Sequence, residues 1–167
     1  MATGRDIQLT KMVGEYLVAA ELCRRGLLAT TFAGNVPDFD IVAVTKSLRS
    51  IPIQVKASAK GDWHLRANSF LDIDYNEKTK TQRITRMKNL NRDLLYVFVK
   101  LKTNDKDKDQ FYILRAKDLQ GIIFNNYKEW LRKCGGKRPK NPKSMHTAIR
   151  LEDILGYQDN WNLLTEG

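Results

Sequence analysis

The chain has 167 residues, 42% of them hydrophobic and 29% charged, a balance that excludes a disordered chain and suits a single domain spanning residues 1–167. Its 29 Lys and Arg stand against 19 Asp and Glu, a net charge of +10, so polyanions, nucleic acid first, are the expected partners. No apolar run is long enough to cross a bilayer, the N-terminus lacks a signal-peptide pattern, and two cysteines without CxxC spacing beside only two histidines argue against a zinc site. A cytoplasmic protein with free thiols and no membrane partner is expected.

The first element is a helix. Leu9, Met12, Val13, Tyr16, Leu17, Ala20 and Cys23 follow the i, i+3, i+4, i+7 spacing of one apolar stripe. That stripe is predicted to be the buried face, with Glu15 towards its edge. Gly26, after the basic pair Arg24 and Arg25, stands where helices end. Three strands follow in "LLATTFA", "FDIVAV" and "SIPIQVKA", rich in β-branched residues. The segment from Lys78 to Asn91 is read as a helix, with Arg83, Arg86 and Lys88 on one flank.

"LLYVFVKL" and "QFYILRA" form a strand pair across an Asp-Lys turn from Asp105 to Asp109. "AKDLQGIIF", "NYKEWLRK" and "RLEDIL" read as three short helices, with Trp130 and Trp161 as packing residues. Between Lys128 and Lys143 seven basic residues face a single acid, Glu129, and Gly and Pro interrupt the run, so a basic loop is expected there. The order predicts an α/β fold with one mixed central β-sheet flanked by helices.

The chemistry-bearing stretch is "NVPDFDIVAVTKSLRSIPIQVKAS", from Asn35 to Ser58. Residues two apart on a strand share a face, which pairs Asp38 with Asp40 and Gln54 with Lys56. If the two strands form a hairpin, the acidic start of one lies beside the Gln/Lys end of the other. Hard oxygen ligands of this kind suit Mg²⁺, with Mn²⁺ as a substitute. Asp40 offers a carboxylate, Gln54 a neutral amide oxygen and Val55 its carbonyl. Lys56 is placed to orient a water or to steady charge on a phosphate. These parts suit phosphodiester hydrolysis.

The same residues resemble the PD-(D/E)xK nuclease superfamily, the restriction-endonuclease-like fold. The matching positions are Pro37-Asp38 or Asp40, then Gln54-Val55-Lys56, a Gln-x-Lys variant similar to that of Mrr-like enzymes. Gly14-Glu15 is similar to the helix glutamate found in several branches. The likeness covers roughly the first 60 residues. It implies a metal-dependent endonuclease acting on DNA, with RNA as a second candidate. Asp40, Gln54, Lys56 and Glu15 would be catalytic, and Asp40, Gln54, Val55, Glu15 and Asp38 would surround the metal. Asp40, directly before its apolar strand, is preferred over Asp38. Cleavage of both strands would call for a homodimer.

Candidate nucleic-acid contacts are Ser58, Lys60, Trp63 and Arg66 after the motif, and Lys137, Arg138 and Lys140 in the basic loop. Trp63 reads equally well as a core residue, and His64 and His146 are candidate bases. Gln54 removes one negative charge from the motif. The alternative is therefore a non-catalytic nucleic-acid-binding module of the same fold, or a subunit of a defence or repair complex.

Overall fold

The computed structural model describes residues 3–32, 38–91 and 94–164. Pro37, half of the literal Pro-Asp pair, lies outside them. Helix α1 runs Gly4–Arg24. Its start is fixed by a capping box: the Asp6 backbone N–H donates to Thr3 Oγ1 at 3.2 Å and the Thr3 N–H donates to Asp6 Oδ2 at 2.8 Å. Gly26 takes a left-handed φ of 81° just beyond the end.

The orientation of α1 reverses the sequence expectation. Gly14, Val18 and Leu22 are its buried residues, whereas Leu9, Val13, Tyr16 and Cys23 face solvent. The helix is apolar on two opposite sides, so periodicity alone does not choose between them. Gly14 decides it. A Cβ built there would stand 2.5 Å from the Ala57 Cβ; only a glycine allows this closeness.

Strands β1 (Leu28–Thr31), β2 (Ile41–Val44) and β3 (Ser50–Ser58) form an antiparallel meander. Strand β3 then pairs in parallel with β7 (Leu95–Lys100), which pairs antiparallel with β8 (Gln110–Arg115). The result is a mixed five-stranded sheet in the order β1-β2-β3-β7-β8. Helix α1 covers one face over a core that includes Val18, Leu22, Ile53, Val55, Val97 and Trp161. Helix α2 (Ala116–Lys133) covers the other, over Trp63, Phe98, Tyr112, Leu119, Ile123 and Tyr127. This is the expected α/β class with a mixed central sheet between helices. No helix among the described residues is long and apolar enough to cross a membrane.

Three local readings are corrected. Residues 78–91 are not helical: β5 (Leu71–Asn76) and β6 (Thr81–Met87) form a hairpin. Gln82 on β6 is buried, donating to the carbonyls of Pro142 at 2.5 Å and Ser144 at 3.0 Å. Those long-range bonds outweigh the local helical preference. The two short helices at 116–133 are one. Leu119, Ile123, Tyr127 and Leu131 keep a continuous i, i+4 buried row through Asn125 and Asn126. A second ribbon was not foreseen, β4 (Asp62–Arg66) with β9 (His146–Arg150). Its short alternation is clear only once the partner strand, more than eighty residues later, is known. The described residues end with α3 (Leu151–Ile154) and 3₁₀ turns.

Candidate functional site

The site lies in a notch made by unequal strand lengths. Strand β2 pairs only with Ser50–Ile53 of the nine-residue β3. From Gln54 onwards β3 is bonded on one side only, to β7. Asp40 occupies the notch. Its backbone N–H donates to the Ile53 carbonyl at 2.9 Å, extending the β2–β3 ladder by one residue. Its carboxylate then caps the open side of β3: Oδ2 accepts from the Val55 N–H at 2.9 Å and from Gln54 Nε2. The N–H and C=O of one strand residue point the same way, so the Val55 carbonyl also faces this open side.

Helix α1 supplies the rest. Because Gly14 presses on β3, the adjacent Glu15 is carried to the notch. Lys11, one turn earlier, bridges Glu15 Oε1 at 3.4 Å and Asp40 Oδ1 at 3.3 Å. Only 14% of the Glu15 side chain and 8% of the Asp40 side chain are exposed. Among the described residues Glu15 Oε1 is buried without a hydrogen bond and meets the Lys11 ammonium as an ion pair. Burial raises the Glu15 pKa above the ordinary carboxylate value, and the charge on Asp40 adds to this against the pull of Lys11 and Lys56. For Lys11 burial opposes the charge, yet Asp40 and Glu15 together hold its pKa above normal.

Gln54 and Lys56 project from the face of β3 opposite α1, into a cleft of about 750 Å³. Asp38, Phe39, His64, Arg66, Tyr96 and His146 line the same cleft. Burial lowers the Lys56 pKa, with Lys11 adding repulsion and Asp40 and Glu15 resisting. The Tyr96 hydroxyl is pushed up to about 12 by burial and by Asp38 and Asp40, so it remains a neutral donor. Asp38 sits at the cleft rim in a left-handed conformation, φ 74°, and is exposed. That conformation breaks the strand alternation that was to align it with Asp40.

The nucleic-acid candidates separate. Arg66 reaches the cleft, opposite His146 across the β4–β9 ribbon and next to His64 on its own strand face. Trp63 does not: it is 3% exposed and packs edge-on against Phe98 and Tyr112, which corrects the stacking expectation. Ser58 and Lys60 lie beyond the cleft, where Ser58 Oγ accepts from the Lys60 N–H at 3.1 Å. Lys137 and Lys140 are exposed. Arg138 stacks over Trp130 at 4.5 Å and donates to the His146 carbonyl at 2.6 Å, fastening the basic loop to β9. Sequence reasoning missed Lys11 and Tyr96. Lys11 had a signal, its i, i+4 spacing from Glu15; Tyr96 had none before β7 was paired with β3.

No protein-family model matches the chain, and neither does any curated protein. A solved structure does: that of a bacterial homing endonuclease, I-Ssp6803I, with a TM-score of 0.50 at 12% identity. The superposition spans 94% of this chain and 91% of that one. The two share a fold. At this identity the likeness concerns the path of the backbone, including the central sheet and its flanking helices.

Proposed function

We propose that the chain is a metal-dependent endonuclease that hydrolyses phosphodiester bonds in DNA. The observation that carries the reading is the convergence of two nearly buried carboxylates, Glu15 and Asp40, on one cation in the notch beside β3. In the structure that cation is the Lys11 ammonium. An orphaned Glu15 oxygen, an inward Asp40 carboxylate and the Val55 carbonyl form an oxygen donor set that fits Mg²⁺ or Mn²⁺. Glu15, Asp40 and Val55 would hold the ion, with the Gln54 amide beside them. A bound ion supplies Lewis-acid polarisation of the phosphate and a more acidic water.

The chain's own groups do the remaining work. Asp40 fixes the geometry by bonding to the β3 backbone. Lys56, its pKa lowered by burial, stands in the cleft to orient water and share a proton. Tyr96 donates from the cleft lining, and Arg66, His64 and His146 border the substrate's path. The basic surface draws in the polyanion. A homing endonuclease with the same fold makes DNA the first substrate to test.

A second reading has its own observation. Gln54 is neutral, and no group of three His, Cys, Asp or Glu that could hold a metal exists among the described residues. A non-catalytic nucleic-acid-binding module would look like this. One assay separates the two. Purified protein is incubated with plasmid, single-stranded DNA, branched DNA and RNA in Mg²⁺, Mn²⁺ or EDTA. The nuclease reading expects metal-dependent nicking that Lys56→Ala lowers by about 10²-fold or more. Salt-sensitive binding without cleavage of any of these substrates would establish the module instead.

A further inference from the structure

We propose that the outer face of α1 is a self-association surface, on which a second copy of this chain packs its own α1 antiparallel. Leu9, Val13 and Tyr16 are 49%, 46% and 58% exposed, and Ala20 and Cys23 continue the exposed row. The steps between them are four, three, four and three residues, the seam of a two-helix coiled coil. At 100° per residue these five positions fall within an arc of about 80°, opposite Gly14, Val18 and Leu22. Burial against the sheet is already complete through that opposite side. Among the described residues the outer row is left open to solvent.

A second copy fits because the row is nearly palindromic about Tyr16. Leu9 lies seven residues before it and Cys23 seven after; Val13 and Ala20 lie three before and four after. A two-fold axis near Tyr16 stacks Leu9 on Cys23, Val13 on Ala20 and Tyr16 on its own copy, an isologous contact. The rim selects the direction. Asp6 and Arg24 are 18 residues apart, about five full turns, so they share one edge of the row. In an antiparallel pair like edges meet, and Asp6 faces Arg24 of the copy. A parallel pair sets unlike edges together, so Asp6 would meet neither Asp6 nor Arg24 of the copy and this ion pair would be lost. Opposed helix dipoles also favour the antiparallel form.

The seam from Leu9 to Cys23 is about 21 Å long. A contact of that size lies at the small end of stable interfaces, which points to a dimer dissociating in the micromolar range. This inference does not depend on the nuclease reading. If both hold, the dimer carries two sites, one for each strand of a duplex.

Sedimentation velocity on the full chain, from about 1 to 200 µM, tests it together with disulfide trapping. The wild type is expected to shift from monomer to dimer with concentration. Tyr16→Glu should weaken association at least about tenfold while leaving the circular-dichroism melt in place. In a Cys23→Ala background, Tyr16→Cys places thiols at the axis and should give a covalent dimer under mild oxidation. Lys117→Cys, exposed on α2, is the control in that background. A wild type that stays monomeric across the range would overturn the proposal. So would a dimer indifferent to Tyr16→Glu, or cross-linking by Tyr16→Cys no faster than by the control.

Discussion

Lys11 is the residue on which the site's electrostatics turn. It is the cation between two carboxylates that would otherwise repel at close range in a partly dry notch. Lys11→Met removes that cation and leaves Glu15 and Asp40 with only the more distant charge of Lys56 against theirs. The metal-free protein should lose about 1–3 kcal/mol of stability, and Mg²⁺ should restore more of the melting temperature in the variant than in the wild type. Thermal melts of both proteins in EDTA and in Mg²⁺ measure this; equal responses to Mg²⁺ would refute the role. Asp40, Gln54 and Lys56 were legible in the sequence because a hairpin forces its strand ends together. Their meeting needs nothing beyond strand alternation and a turn. Lys11 was less legible, since i, i+4 lysine–glutamate pairs are common on solvated helix faces and only the placement of Asp40 gives this one a third member.

At the scale of elements, the position of α1 on β3 is set by a single missing side chain. Gly14 allows the helix to touch Ala57, and this contact carries Lys11 and Glu15 to Asp40. Gly14→Ala gains up to about 1 kcal/mol of helix propensity but sets a methyl 2.5 Å from the Ala57 Cβ. Overpacking of that kind costs about 1–3 kcal/mol, so the variant should melt lower than the wild type and bind divalent ions less tightly. A calorimetric titration with Mn²⁺ and a melt check both; an unchanged ion affinity would mean that α1 does not position the site. The face of α1 was misread for a physical reason. Apolar residues run along both sides of the helix, so the i, i+3, i+4, i+7 spacing picked out the outer row, while Gly14 gave no apolar signal. Strands β4, β5, β6 and β9 were missed or misassigned because their stability comes from partners distant in sequence, such as the Gln82 bonds to the carbonyls of residues 142 and 144.

Across the whole molecule, the sheet separates two cores, and the candidate site is where the layers communicate. Glu15 and Lys11 arrive from the α1 side, Gln54 and Lys56 project from the opposite face, and Asp40 joins them in the plane of the sheet. The β2–β3 hairpin and the β7–β8 pair were legible because each joins two near-continuous apolar runs by a short link; the parallel β3–β7 pairing was not, because 36 residues separate the two strands. The walls of the cleft were not, because they come from the β4–β9 ribbon, whose strands are far apart in the chain. The notch beside β3 is proposed as a divalent-cation site. A crystal of the wild-type protein soaked in Mn²⁺ and measured at the manganese absorption edge tests it most directly. One anomalous peak is expected in contact with the Asp40 carboxylate and the Val55 carbonyl, with the Lys11 ammonium moved from between Glu15 and Asp40. A notch without manganese, with Lys11 still bridging the two carboxylates at a saturating concentration of the ion, would contradict it.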